Sequence, residues 1–252
     1  DNDHTVNGSI STDWFVEEQY LNSSLLLTAT GQANGAVATT AFTDAAKATT
    51  TTVTSSANPS TYGGSVTFTA TVVPANGAQA DALGSVQFFD GVTSLGIVST
   101  PTTTVSHTTT WQITTSGLNA GTHSTITAVY TSNNLAQISS STSGNFTQTV
   151  NKATAVVVVA PYTSGTTTYN GLSHTATVTS ITGVNGETGA TVGTVDVSNT
   201  AHTNAGTFAT DSWSFTGTAN YNNIAATTIT DSIAKATAVV VVAPYTSGTT
   251  TY

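Results

Sequence analysis

Cysteine, methionine and arginine are absent from this chain, and the only basic side chains apart from histidine are three lysines. Without cysteine there is no disulfide framework and no thiolate metal site, which argues against a small stapled secreted domain of the animal kind. The 12 acidic groups outweigh the three lysines and give a net charge of -9. Because phosphate binding needs clustered cations, we expect neither nucleic acid nor an anionic membrane surface as a partner.

Long hydrophobic runs are also missing. The longest holds four valines flanked by alanines, whereas a membrane-spanning helix needs roughly 20 apolar residues. We therefore expect no membrane insertion in this segment. Because Asp1 is not a start methionine, we also expect that a signal peptide or a larger upstream region has been removed.

No motif in the chain carries catalytic chemistry. The nucleophile elbow, the zinc-protease helix motif, the phosphate loop and the dinucleotide-binding glycine motif do not occur. The five histidines never stand at the close spacing of paired metal ligands. We expect no enzyme and no organic cofactor. One weak metal candidate is the oxygen-rich cluster Asp1, Asn2 and Asp3, which could bind calcium; a flexible solvated terminus explains it equally simply.

Threonine is the most abundant residue, and the apolar positions alternate with it. Threonine, valine, isoleucine and tyrosine favour the half-buried surface of a sheet. In Ser65 to Val73 the apolar residues fall on one face and the threonines on the other, which predicts a strand. Val86 to Phe89, the turn Asp90-Gly91 and Val92 to Val98 predict a hairpin. Short strands with regular turn signals predict an all-β chain of tandem antiparallel Ig-like β-sandwich modules in an elongated array.

One string, KATAVVVVAPYTSGTTTY, occurs twice, at residues 152–169 and 235–252. An identical repeat at a spacing of about one sandwich domain is typical of tandem arrays. Each of the three lysines opens a Lys-Ala-Thr tripeptide, and we interpret these as module starts. The predicted divisions are the C-terminal part of an Ig-like module at 1–46, one sandwich at 47–151, a second at 152–234, and the first strand of a further repeat at 235–252.

Longer strings support this division by resemblance. SSANPSTYGGSVTFTATV, GSVQFFDGVTSLG, LNAGTHSTITAVY and FTQTVNKA, all within 55–153, resemble a bacterial Ig-like repeat of long surface proteins. KATAVVVVAPYT, YNGLSHTATV, TNAGTF and NYNN, within 152–223, resemble the MBG-type repeat of bacterial adhesins. Asn170 stands in the Tyr-Asn-Gly turn where that repeat has aspartate, and asparagine keeps the backbone role because it also tolerates left-handed geometry.

The resemblance implies an extracellular, cell-surface protein whose partners are adjacent modules or further copies of itself. The first functional hypothesis is a structural segment of a stalk or filament. The alternative is an adhesin module that binds carbohydrate or a neighbouring cell surface. Trp14 and Tyr20, close to Phe15, are the candidate ligand-binding aromatics, although inward packing explains them as well.

Two covalent modifications are also candidates. Surface Ig-like domains sometimes link a first-strand lysine to a late asparagine by an isopeptide bond, and here Lys152 would join Asn220, Asn222 or Asn223. Glycosylation sequons stand at Asn7, Asn22 and Asn145. A solvated lysine and chance sequons are the simpler interpretations.

The second copy of the string carries the prediction about assembly. Ala238 to Ala243 reads as an apolar strand that needs a partner, because an exposed edge of this kind would pair with another sheet. The sequence leaves two possibilities open. Either the chain continues into a further module, or neighbouring subunits complete each other head to tail by strand complementation.

Overall fold

The computed structural model describes residues 23–31, 35–43, 45–75, 78, 80–244 and 248. These residues form an almost all-β structure, and most of its ladders are antiparallel. The strands are β1 Ser24–Thr30, β2 Val37–Thr43, β3 Thr49–Ser55, β4 Ser60–Thr61, β5 Val66–Pro74, β6 Gly84–Asp90, β7 Thr93–Val98, β8 Thr103–Val105, β9 Thr108–Thr115, β10 Gly121–Ser132, β11 Ser141–Thr142, β12 Phe146–Asn151, β13 Val156–Ala160, β14 Thr177–Thr182, β15 Gly193–Asp196, β16 Gly206–Gly217 and β17 Ile224–Ile233. Two short 3₁₀ turns cover Gly189–Thr191 and Ser198–Thr200.

The described residues divide into two compact units. The first takes in the described residues up to Ser60, residues 64–116 and residues 121–150. The second takes in residues 61–63, residues 117–120 and the described residues from Asn151 onward. The predicted module boundaries at 46, 151 and 234 remain predictions.

The first unit contains two packed sheets. One has the order β3-β5-β9-β8, and the other has the order β4-β12-β10-β6-β7 with β11 beside β10. The predicted strand at Ser65 to Val73 is observed as β5, whose residues are alternately buried and less buried along its length. The predicted hairpin is β6 and β7, joined by a turn in which Gly91 has a positive φ of 58°. This arrangement is the antiparallel sandwich of an Ig-like domain.

Aromatic side chains from both sheets fill the space between them. Trp111 of β9 and Tyr130 of β10 are fully buried, with ring centroids 5.4 Å apart. Phe68 of β5 and Phe88 of β6 are also fully buried. Burying such large apolar groups is the main term that stabilises a sheet pair, since each contributes about 1.5–3 kcal/mol on transfer from water.

The described residues of the predicted N-terminal half module form one antiparallel ribbon, β1 and β2. Its large apolar residues Leu26 and Val37 are 65% and 62% exposed. A two-stranded ribbon has no second layer to cover such side chains.

The second unit has a two-stranded sheet, β13-β14, and a three-stranded sheet, β15-β16-β17. Its core is formed by Ala153, Ala155, Val192, Phe215 and Tyr221. Isolated parallel bridges join Ala153 to Tyr221 and Thr168 to Ala234. The first copy of the repeated string therefore contributes both core residues and a strand to this unit.

The second copy of the string behaves differently. Residues 235–244 lie outside all strands, in contrast to the predicted strand at Ala238 to Ala243. Val239 and Val241 are 89% and 88% exposed, whereas the equivalent Val156 and Val158 lie in β13 and are 64% and 46% exposed. Because the two strings are identical, the difference comes from the pairing partner, β14, which only the first copy has among the described residues.

In the part of the chain that the structure describes, no helix has the length and apolar character needed to cross a bilayer.

Candidate functional site

Two tyrosine hydroxyls converge on one carboxylate in the second unit. Tyr62 donates to Glu187 Oε1 at 2.7 Å, and Tyr221 donates to Glu187 Oε2 at 2.8 Å. The backbone N–H of Asn185 donates to the same Oε2 at 2.9 Å. The two tyrosine rings meet edge to face with their centroids 5.6 Å apart. We call Tyr62, Glu187 and Tyr221 the tyrosine–glutamate cluster.

The backbone around this cluster is shaped to bring the three side chains together. Glu187 lies in the turn between β14 and the first 3₁₀ turn, and Tyr221 lies in the turn before β17. A Cβ atom at Gly183 would collide with the Tyr221 hydroxyl and with the Glu187 carboxylate. Glycine is therefore required at this position for the hydroxyl and the carboxylate to meet.

Hydrogen bonds and burial shift the pKa values of Glu187 and Tyr221. Donation from Tyr62, followed by smaller contributions from Tyr221 and nearby backbone N–H groups, lowers the pKa of Glu187 to about 2. Burial, and then the hydrogen bond to Glu187, raise the pKa of Tyr221 to about 12. The cluster thus holds an ionised Glu187 carboxylate beside a neutral Tyr221 phenol over the ordinary pH range.

An asparagine next to the cluster forms a second set of contacts in the same unit. Asn220 Oδ1 accepts from the backbone N–H of Ala120 at 2.8 Å, and its Nδ2 donates to Asn119 Oδ1 at 3.1 Å. The backbone of the same turn pairs with the repeated string, because Ala153 N–H donates to the Asn220 carbonyl at 2.9 Å. The Asn220-Tyr221 turn therefore forms hydrogen bonds both through the Asn220 side chain and through its own backbone.

A buried network of one histidine and two aspartates lies elsewhere in the second unit. His202 Nε2 stands 2.9 Å from Asp211 Oδ1, and its ring stacks on Phe208 with centroids 3.5 Å apart. Asp231 is fully buried and accepts from the backbone N–H of Tyr162 at 3.0 Å. The other carboxylate oxygen of Asp231, Oδ2, receives no hydrogen bond from any described donor.

This network raises the pKa of Asp231. Burial, and then the neighbouring Asp211 carboxyl, raise the pKa of Asp231 above its ordinary value. Burial, with the nearby negative charges of Asp231 and Asp211, also raises the pKa of Tyr162 to about 12. No group of three or more metal-binding side chains among the described residues is arranged to hold an ion.

Most of the residues proposed from sequence as sites lie outside the described residues. These are the calcium candidates Asp1, Asn2 and Asp3, the sequon residues Asn7 and Asn22, and the aromatics Trp14 and Tyr20. Asn145 is described, and it is exposed just before β12, where a glycan would meet solvent.

Lys152 is also described, and its side chain is exposed. Its ammonium donates to the carbonyl of Thr218 at 3.3 Å, while the Asn222 amide donates to the Lys152 carbonyl at 3.3 Å. Asn220 and Asn223 are occupied with the backbone N–H groups of Ala120 and Gly217. The isopeptide bond remains a prediction, and an intact-mass measurement tests it through the loss of one ammonia.

Sequence reasoning missed both polar clusters. Tyr62 and Glu187 are 125 residues apart, and no local pattern joins them. In the sequence, Asn220-Tyr221 stands out only as part of the string NYNN, which resembles a family motif. The carboxylates Asp211 and Asp231 interrupt otherwise threonine-rich strands, and a charged residue in such a strand was the available signal.

Comparison with known families supports the interpretation of the first sandwich. Residues 52–151 match the family described as bacterial Ig-like domain (group 3). No curated protein matches the chain. The match supports an Ig-like surface or extracellular structural module over this stretch, and domains of this kind are typically non-enzymatic.

Proposed function

We propose that this protein is a structural segment of an extracellular cell-surface stalk or filament, in which Ig-like modules follow one another end to end. The observation that carries the proposal is the match of residues 52–151 to a bacterial Ig-like domain, together with the antiparallel sandwich that this stretch forms. Domains of this kind are commonly surface-exposed.

The repeated string supports the tandem part of the proposal. Its first copy supplies Ala153 and Ala155 to a core and β13 to a sheet. Its second copy presents the same apolar residues to solvent, with Val240 and Val242 78% and 82% exposed. Exposed runs of this kind mark interaction sites or aggregation-prone edges. A following module would bury the second copy as the second unit buries the first.

The low content of charged residues is consistent with a structural protein whose modules pack against one another. Charged residues are only 6% of the chain, and no cationic cluster is available for a nucleic-acid ligand. The MBG-type resemblance of residues 152–223 adds a second module of the surface-repeat kind and belongs to the same proposal.

Labelling of intact cells tests the location. Cells of the source organism are incubated with an antibody against the first sandwich, or with a protease that cannot enter them, and a cytoplasmic protein serves as the control. Labelling or cleavage of this protein on intact cells is the expected result. Protection until the cells are lysed would contradict the extracellular location.

Electron microscopy of the native surface tests the architecture. We expect thin projections with a repeat of about one sandwich domain along their length. Deleting residues 235–252 then separates the two assembly routes. If separate subunits polymerise by strand complementation, the deletion abolishes the filaments, and normal polymers after the deletion would exclude that route.

A further inference from the structure

Tyr62, Asn119 and Ala120 contact the Asn220-Tyr221 turn in the second unit. The same unit contains a second set of similar residues, and among the described residues no asparagine–tyrosine turn contacts this second set. Tyr62-Gly63 has a counterpart in the sequence Tyr169-Asn170-Gly171. Each turn contains a glycine with a φ of +79°, Gly63 one residue after Tyr62 and Gly171 two residues after Tyr169.

Main-chain hydrogen bonds confirm the correspondence of these turns. Tyr62 N–H donates to the carbonyl of Asn151 at 2.9 Å, and Tyr169 N–H donates to the carbonyl of Ala234 at 2.9 Å. Asn151 and Ala234 each directly precede a copy of the repeated string. Each tyrosine therefore stands beside the start of one copy.

The asparagine contacts also have a counterpart. The tetrapeptide Asn-Ala-Gly-Thr occurs at residues 119–122 and again at 204–207. It opens β10 in the first case and β16 in the second, both strands of 12 residues. The register also corresponds, since Gly121 pairs with Val150 and Gly206 pairs with Ile233. Asn204 and Ala205 thus occupy the positions of Asn119 and Ala120.

Of the counterpart residues, Tyr169 and Ala205 line an open depression, and Asn204 directly precedes Ala205. The depression has a volume of about 470 Å³ and is lined by Tyr169, Ala205 and Lys235–Ala238. Tyr169 is 43% exposed. Among the described residues, neither the Tyr169 hydroxyl nor the Asn204 amide has a hydrogen-bond partner, whereas the equivalent Tyr62 and Asn119 are both bonded.

We propose that Tyr169, Asn204, Ala205 and Lys235–Ala238 form a socket for a following module of the same kind as residues 170–234. That module would present its asparagine–tyrosine turn to Asn204 and Ala205. Its glutamate would accept from the Tyr169 hydroxyl. The inference rests on the proposed function as a chain of modules, and it names the partner and the residues that bind it.

The occupant is a module continuous with this chain rather than a separate second copy. In the contacts already formed, the turn that carries Tyr221 pairs with Ala153, and Ala153 and Ala155 are buried in the same core. The occupant of the socket therefore takes Ala236 and Ala238 as the start of its first strand. In a second copy of this chain, residues 152–160 already fill that position.

A chain extended by a second copy of residues 170–234 tests the socket. Residues 235–252 then lead into the added sequence as residues 152–169 lead into Asn170. We expect amide exchange at Val239–Val242, which is fast in the unextended chain, to slow in the extended chain to the level of Val156–Val159. Tyr169→Phe and Asn204→Ala should each speed exchange at Val239–Val242 of the extended chain by roughly fivefold, the value of one lost hydrogen bond. Neither substitution should change the unfolding of the unextended chain.

Matched variants calibrate these effects. Tyr62→Phe and Asn119→Ala remove the equivalent bonds from the contacts already formed, so they should weaken both chains alike. Leu172→Ala is the negative control, since Leu172 lies near Tyr169 in sequence, is 66% exposed and does not line the socket. Circular dichroism of each variant checks that the fold is kept.

Three results would overturn the socket. The first is that Val239–Val242 remain unprotected in the extended chain. The second is that they become protected but Tyr169→Phe and Asn204→Ala have no effect. The third is that protection appears in the unextended chain and rises with protein concentration, which would make a second copy the occupant. None of these bears on cell-surface location, which the labelling of intact cells decides separately.

Discussion

At the scale of single residues, uncharged hydrogen bonds take the place that ion pairs hold in most proteins. Thr67 and Thr114 hydroxyls meet across neighbouring strands at 2.8 Å, and Gln112 donates to Thr69 at 3.1 Å. Such cross-strand pairs contribute a few tenths of a kcal/mol to about 1 kcal/mol each. The few carboxylates are correspondingly important, because several of them are built into buried networks.

The contribution of Glu187 to folding stability can be measured from its dependence on pH. Its pKa is lowered from 4.5 to about 2 in the folded state. The ionised form therefore stabilises the fold above the unfolded pKa, and this contribution is lost as the pH falls from about 4.5 toward 2. We expect Glu187→Gln to lower the denaturation midpoint at pH 7.

The same variant should approach the parent protein in acid. Denaturant titrations near pH 7 and near pH 2.5 measure the difference between them. Tyr62→Phe is the matched control, because it removes one donor and keeps the carboxylate. A Glu187→Gln effect that is equal at both pH values would contradict the assigned role of the charge.

Asp231 should show the opposite dependence. Its pKa is raised by burial and by Asp211, so its contribution to stability is present below the unfolded pKa of 3.8 and is lost as the pH rises through the folded pKa. Asparagine at this position can still accept from Tyr162 N–H and carries no charge. We expect Asp231→Asn to raise the thermal midpoint at pH 7 and to have no such advantage near pH 3.

Thermal melts at the two pH values test this expectation. Asp196→Asn is a suitable control, because Asp196 is also a strand aspartate but its pKa is lowered by Ser198. A drop in the midpoint for Asp231→Asn at pH 7 would show that the ionised pair stabilises the fold.

At the scale of elements, identical sequence does not ensure identical structure. Residues 156–160 form β13 because β14 offers them an antiparallel ladder, whereas residues 239–243 are the same sequence without a ladder. Valine favours strands only through neighbours that pack against it. The repeated string is therefore an internal control for the effect of tertiary context.

Hydrogen exchange makes this comparison quantitative. The two segments have the same intrinsic exchange rates, so any difference reports pairing alone. We expect the hydrogen-bonded amides of Val156–Val159 to exchange roughly a thousandfold more slowly than those of Val239–Val242, as for paired and unpaired backbone in general. Peptides 146–160 and 229–243 give distinct masses despite the shared string. Equal rates would show that the second copy is paired or that β13 is frayed.

At the scale of the whole molecule, the low charge predicts a stability that depends little on salt. Every ion pair among the described residues joins an aspartate to a histidine, at His107–Asp81, His123–Asp90 and His202–Asp211. The exposed pair His107–Asp81 contributes at most about 1 kcal/mol, and in all three pairs the histidine is charged only when protonated. We expect the thermal midpoint to change by less than about 4 °C between about 0.05 M and about 1 M sodium chloride.

Melts at pH 7 in the two salt concentrations measure this change. The net charge of -9 is screened at high salt, so any shift should be upward. A fall of about 10 °C or more would mean that ion pairs carry a substantial part of the stability.

The sequence by itself determined the β class and the strands β5, β6 and β7 of the first sandwich. Alternation in β5 and the Asp90-Gly91 turn are local signals, and a period of two residues directs one set of side chains to the core. It also determined the existence of the repeat. The match of residues 52–151 to an Ig-like family agrees with these local patterns.

Only the tertiary structure decided where the polar clusters form and which copy of the string becomes a strand. Tyr62, Glu187 and Tyr221 meet because several turns distant in sequence converge. Asp211 and Asp231 lie on the neighbouring strands β16 and β17, and His202 contacts Asp211 from the loop before β16. Contacts of this kind depend on pairing between distant segments. Local propensity is the same for residues 156–160 and 239–243, and the hydrogen-bonding partner decides the outcome.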